Sequence, residues 1–182
     1  LAIGGVLMQA LFRNPLADPG LIGVSTGAAL AAALVIVLGA SVLPGASRLL
    51  GEWTLPLAAF GGALAFTALV YRIGTSHGAL SLPLVLLAGI ALNALAMAGV
   101  GLLSYLATDE QLRSLQFWLL GSLGGARWSA VLLVGAVVLA ACLTSLRLAA
   151  PLNAIALGES QAALLGLDVE RTKRQAILVT AA

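Results

Sequence analysis

The chain has 182 residues, of which 61% are hydrophobic and 9% charged, and its mean hydropathy is +1.09. A soluble domain carries about a quarter charged residues and under half apolar ones, so a water-soluble enzyme and a disordered chain are both excluded. A net charge of +2 gives no basic face for nucleic acid, and the single Cys142 allows neither an internal disulfide nor a cysteine metal cage. What remains is a polytopic membrane protein, an all-α bundle of transmembrane helices forming one domain over 1–182.

The apolar run 1–12 opens without a methionine, and 176–182 stops without a cap or polar tail. A crossing takes about 20 residues. Partial spans are therefore expected at about 1–12 and 175–182, in an internal piece of a longer chain truncated at both ends. Complete spans are expected at about 21–43, 53–71, 82–106 and 129–146. Alternating the loops collects Arg13, Arg72, Arg147, Arg171, Lys173 and Arg174 on one side and Arg48, Arg113 and Arg127 on the other. The richer side is assigned to the cytoplasm. Trp53, Trp118 and Trp128 then fall at the outer face, where indoles sit at headgroup level. Gly23 and Gly27 form a GxxxG pair for helix packing, and Gly61, Gly62, Gly89, Gly99 and Gly101 mark further close approaches.

None of the complete spans holds Asp, Glu, Lys or Arg. Ionisable groups at depth mark ion sites and proton relays, so their absence argues against an ion-coupled carrier and a membrane-embedded enzyme. No catalytic residue and no metal site is assigned. Asn93 reads as an interhelical hydrogen bond, His77 as a solvated loop residue and Cys142 as a small hydrophobe. If the protein moves something, its energy source lies elsewhere.

Three loops carry more information. Phe12-Arg-Asn-Pro-Leu-Ala-Asp-Pro-Gly20 forms a rigid cytoplasmic turn, in which Asn14, Pro15, Asp18, Pro19 and Gly20 supply turn chemistry. On the outer side, Thr108 is an N-cap followed by Asp109 and Glu110, and Leu112, Leu115 and Leu119 repeat at helical spacing before a Gly-rich turn that includes Gly124 and Gly125. This helix is either a cap over the bundle or part of a gate or docking surface. The third, the cytoplasmic stretch 151–174, is longer than a connector needs. Within it 152–167 reads as a short helix with small residues at Ala156, Gly158, Ala162, Ala163 and Gly166. An apolar helix outside the membrane either meets a partner or lies on lipid.

These loops, in this order, resemble the permease family of ABC importers for iron-siderophore complexes, haem and vitamin B12 (FecCD-like, type II). The resemblance is carried by Gly5-Val-Leu-Met-Gln-Ala-Leu-Phe-Arg-Asn-Pro-Leu-Ala-Asp-Pro-Gly-Leu-Ile-Gly-Val-Ser-Thr-Gly-Ala28 and by Leu87-Ala-Gly-Ile-Ala-Leu92. Phe117-Trp-Leu-Leu-Gly-Ser122, Leu152-Asn-Ala-Ile-Ala-Leu-Gly-Glu159 and Leu164-Leu-Gly-Leu167 complete it. It implies a fragment of a roughly ten-span permease in a bacterial inner membrane. Two such subunits, identical or not, would work with two cytoplasmic ATPases and a periplasmic binding protein. Ala154–Leu167 would be the coupling helix on the ATPase, with Gly158 and Glu159 matching the signature and Leu157 and Leu165 packing into the partner. Ala162 and Gly166 complete that coupling set. Arg113, Phe117, Trp118 and Gly121 would belong to the outer gate or pathway. The chain itself would bind no cofactor and be no enzyme, ATP and magnesium residing in the partner. The expected function is ATP-driven import of iron chelates, siderophore or haem, by alternating access. The alternative is a secondary transporter or channel, which ion-pathway carboxylates would mark.

Overall fold

The computed structural model describes residues 2–42, 45, 50–76, 79–122 and 127–181. Arg48, His77, Gly124 and Gly125 lie outside the described residues. Along the chain, α1 (Ala2–Phe12) leads through a 3-10 turn (Pro19–Ile22) into α2 (Val24–Val42). There follow α3 (Thr54–Gly74), the strands β1 (Thr75–Ser76) and β2 (Ala79–Leu80), and α4 (Leu82–Leu106). The chain continues as α5 (Asp109–Leu120), α6 (Trp128–Leu157), α7 (Glu159–Leu164) and α8 (Val169–Ala181). Among the described residues the only departure from an all-α bundle is the antiparallel hairpin, which pairs Thr75 with Leu80 and Ser76 with Ala79.

Helices α2, α3 and α4 pack on one another and α5 covers α2, while α1, α6 and α8 form a second group joined to the first through α3 and α8. One core gathers Leu7, Met8, Leu11, Ile22, Val85, Leu152 and Ile177; another, under α5, gathers Ala33, Val37, Leu103 and Leu115. Three helical segments among the described residues are long and apolar enough to cross a membrane: Gly51–Gly74, Leu82–Leu106 and Trp128–Leu157. The protein is a membrane protein.

The loop after α1 does not simply cross to the next span. Arg13 takes a left-handed φ of 50° and lets the Asn14 N–H reach back to the Gln9 carbonyl, closing α1. The Asn14 carboxamide accepts the Leu16 N–H at 2.9 Å, and Asp18 accepts the Gly20 N–H at 2.7 Å, capping the 3-10 turn. Pro19 opens that turn, where its missing N–H costs nothing. The chain has by then doubled back, because a Cβ on Gly4 would sit 3.4 Å from the Pro19 ring. At roughly 1.5 Å per residue, the return from Phe12 to the level of Gly4 climbs about 12 Å.

Helix α4 receives the returning turn. A Cβ on Gly89 would fall 1.8 Å from the Leu21 carbonyl oxygen, so the turn lies directly on the α4 backbone. One helical turn further on, Asn93 donates to the Gly20 carbonyl at 2.8 Å and accepts the Thr26 hydroxyl at 2.5 Å. Asn93 is the interhelical bond the sequence suggested, and its partners lie on the re-entrant turn and the start of α2.

Several expected boundaries move. The span expected from 21 starts as a helix only at Val24, because Gly23, at φ 82°, terminates the 3-10 turn. Gly23 and Gly27 therefore do not share a helix face. Gly27 instead meets Gly62: a Cβ added to either would fall within 2.6 Å of the other's carbonyl oxygen. The helix expected to end at Leu146 runs on to Leu157 through Pro151, and the last helix begins at Val169 rather than near Gln175. Pro151 removes one backbone bond and leaves the rest of the helix standing, supported by buried Leu148, Leu152 and Ile155. At roughly 1.5 Å per residue the 30 residues of α6 measure about 45 Å, well beyond the roughly 30 Å of hydrocarbon. The surplus of about 15 Å corresponds to the residues past Arg147, just under three turns. Between Trp128 and Leu146 no residue is fully buried by the described chain, and apart from Ser129, Thr144 and Ser145 the stretch is apolar.

Gly89→Ala should lower the thermal unfolding midpoint of the detergent-solubilised protein, by the 1–3 kcal/mol that overpacking costs, roughly. Gly61→Ala, which meets nothing within 4 Å, should leave it unchanged or raise it.

Candidate functional site

The stretch from Leu157 to Asp168 is an elbow between two long helices, and glycine makes both of its bends. Gly158 has φ 142° and ψ 135°, a conformation that stops α6, and its carbonyl accepts the Ala162 N–H at 2.9 Å to start α7. Gly166, at φ 81°, stops α7. Its N–H bonds to the Ala163 carbonyl at 2.9 Å and the Leu167 N–H to the Ala162 carbonyl at 3.2 Å, a Schellman closure. Asp168 then caps α8 by accepting the Arg171 N–H at 3.0 Å. The helix expected as one piece from Ala154 to Leu167 is thus broken at Gly158. Only Glu159–Leu164 stands free of α6.

The side chains of the elbow divide by direction. Ala162 is fully buried and seats α7 on the rest of the protein. Leu157, Leu164 and Leu165 are 82%, 83% and 72% exposed, and together make an apolar tip. Glu159, also expected at the partner face, turns inward to Lys173, its Oε2 lying 2.7 Å from Nζ.

Lys173 is the residue that reading the sequence missed. It was counted among the cations of a cytoplasmic surface, yet only 2% of its side chain is exposed. A buried ammonium is costly unless paired. Lys173 has two carboxylates, Glu159 and, at 3.1 Å, Glu170 on its own helix. The second oxygen of Glu170 accepts the Leu80 N–H at 2.9 Å, on the free edge of β2. Both glutamates sit in the first turn of their helices, where the helix dipole favours an anion. The signal was present as charges at 159, 170 and 173, but their convergence depends on the bend at Gly158 and Gly166.

At the opposite end, α5 is held by a capping box. The Gln111 N–H reaches the Thr108 hydroxyl at 3.4 Å, and the Gln111 side chain accepts the Thr108 N–H at 3.0 Å. The same carboxamide donates to the Val37 carbonyl at 3.1 Å, fastening α5 over the end of α2. Leu115 is fully buried beneath it. Of the expected gate residues, Arg113 and Phe117 are exposed and Gly121 ends the helix. Trp118 is half-buried against α2, whereas Trp53 and Trp128 are exposed. Trp53 and Trp128 flank the exposed ion pair of Glu52 with Arg127, which joins the starts of α3 and α6. The turn residues Asn14, Pro15, Asp18, Pro19 and Gly20 form the re-entrant loop described above and are not part of the elbow's bonding.

Among the described residues no three His, Cys, Asp or Glu side chains cluster to hold a metal. What the geometry supplies is a rigidly seated apolar tip at one end and a capped amphipathic helix at the other.

A model of the FecCD transport family matches residues 1–182. The hemin transport system permease protein HmuU of Yersinia pestis is 43% identical over 182 residues, covering 100% of this chain and 53% of that protein. The vitamin B12 import system permease protein BtuC of Klebsiella pneumoniae is 39% identical over 180 residues, covering 99% of this chain and 51% of the relative. The chain spans about half the length of the curated relatives it matches. A solved structure of a candidate metal-chelate type ABC transporter, in an inward-facing conformation, matches with a TM-score of 0.81 and 31% identity. That match covers 100% of this chain and 55% of the solved one.

Gly166→Ala should loosen the elbow by about 1 kcal/mol, the strain of a left-handed residue with a Cβ. Faster amide exchange across 159–167 would report it. Gly166→Asn should exchange nearly as slowly as the parent, since asparagine tolerates that conformation.

Proposed function

Since the chain belongs to the FecCD transport family, we propose that it is the central part of a permease subunit in an ATP-driven importer for iron chelates, siderophore or haem, in a bacterial inner membrane. The observation that carries this is the elbow: an apolar tip of three exposed leucines, seated at the end opposite Trp53 and Trp128. Water does not favour such a tip, and a contiguous exposed apolar patch is a docking surface. The partner is a cytoplasmic ATPase, one for each of two permease subunits, and ATP with magnesium is bound there rather than by this chain.

The division of labour follows from the residues. With no ionisable group in the crossing parts of α3, α4 and α6, the chain has no ion path to drive it, and hydrolysis in the partner supplies the energy. The ATPase binds the two conformations of the permease with different affinity, since otherwise its cycle would move nothing. The outer helix α5, presenting Arg113 and Phe117, lies where a periplasmic binding protein delivers the chelate. The iron chelate is cargo, and no residue here is asked to do chemistry on it. The relatives support this reading by their descriptions as hemin and vitamin B12 permeases.

In the complete permease, Leu164→Asp with Leu165→Asp should abolish co-purification of the ATPase and reduce uptake of labelled haem or ferric siderophore at least tenfold. Leu120→Asp, on an equally exposed leucine at the far end, should leave the ATPase attached. Retention of the ATPase by the elbow variant would overturn the assignment, and uptake that persists without ATP would overturn ATP-driven import itself.

A further inference from the structure

The elbow is not attached to the membrane part by α6 and α8 alone. We infer that Lys173 is a positioning residue that links α7 to the hairpin preceding α4, so that a displacement of α7 is passed to α4. This rests on the reading that a partner moves α7.

The chain of contacts is continuous and short. The first residue of α7, Glu159, holds Lys173 Nζ at 2.7 Å. The same ammonium holds Glu170 at 3.1 Å, and Glu170 holds the Leu80 N–H at 2.9 Å. Leu80 is itself buried among Val70, Val85 and Ile177. One residue on, the Ser81 N–H closes the hairpin on the Gly74 carbonyl at 2.9 Å, and α4 starts at Leu82. Further along α4 stand Gly89 and Asn93, on which the re-entrant turn rests.

Burial gives this chain its stiffness. The Lys173 side chain is 2% exposed, so water competes little for the ammonium, whereas the two glutamates are 42% and 39% exposed. The cation is therefore fixed and each carboxylate is held to it. A surface lysine in the same sequence position would contribute a loose, screened pair with no mechanical consequence. Removing the ammonium should free Glu159 and Glu170 together, and with them α7 and the hairpin from each other, while Ala162 still seats α7.

The test uses the complete permease assembled with its ATPase and binding protein in liposomes. Lys173→Met is expected to keep ATPase co-purification and hydrolysis within about twofold of the parent. Uptake of the labelled haem or ferric siderophore that the parent transports, per ATP hydrolysed, should fall at least tenfold. Lys173→Arg, which can still span both carboxylates, should recover at least half of that ratio. Because Glu159 acts through Lys173, adding Glu159→Gln to Lys173→Met should lower the ratio no further. In a second readout, ATP binding should change amide exchange of residues 79–82 in the parent and not in Lys173→Met. If Lys173→Met does not fold, Glu159→Gln alone decides, expected to blunt that exchange response. An unchanged uptake ratio, an exchange response that survives the loss of the ammonium, or an additive double variant would each overturn the link. Failure of the parent permease to associate with any ATPase would instead overturn the functional reading, and the two failures are distinguishable.

Discussion

A chain that turns among apolar helices finds few hydrogen-bond partners, and that constraint shapes the first group of helices. The segment after α1 climbs back and reverses again at 18–23, exposing carbonyls that a straight helix would have satisfied. Asp18 and the 3-10 bonds satisfy part of the turn from within, and Asn93 satisfies the Gly20 carbonyl from α4. Gly89 makes that possible by bringing the turn onto the α4 backbone. The start of α2 is fixed by the same carboxamide through Thr26, and α2 in turn sets α3 through the Gly27–Gly62 contact. One polar side chain thus organises three helices, which explains why a strongly polar residue is kept at that depth.

The second group depends on a different kind of polar economy. Lys173 is withdrawn from water and needs partners, and it finds them at the starts of two helices. This ties the half-exposed glutamates of the elbow to a buried cation and leaves its leucines outside. The reverse arrangement, with acids outward, would suit solvent and offer a partner much less apolar area. The distribution of burial at the elbow is therefore what a docking surface requires.

Much of this was legible in the residues and some was not. The all-α membrane bundle and the approximate spans follow from hydropathy, because a charge-free run of about 20 residues has few alternatives. The cap at Thr108 and the turn residues at 14–20 could be read locally, because their bonds join neighbours in sequence. The continuation of α6 past Arg147 and through Pro151 was not legible, because it rests on the burial of Leu148, Leu152 and Ile155. Gly23 misled: its spacing to Gly27 suggests a packing pair, while its φ shows a turn. Lys173 was illegible because three charges spread over fifteen positions look like any membrane-surface cluster until two glycine bends bring them together.

The apolar tip has a consequence for the life of the polypeptide before it is assembled. Leu157, Leu164 and Leu165 expose most of their surface at the projecting end of α6, and covering a leucine is worth roughly 1.5–3 kcal/mol. A partner docked there as proposed would cover these side chains, and a subunit without it would keep them in water. Their exposure would then distinguish an unassembled subunit from an assembled one.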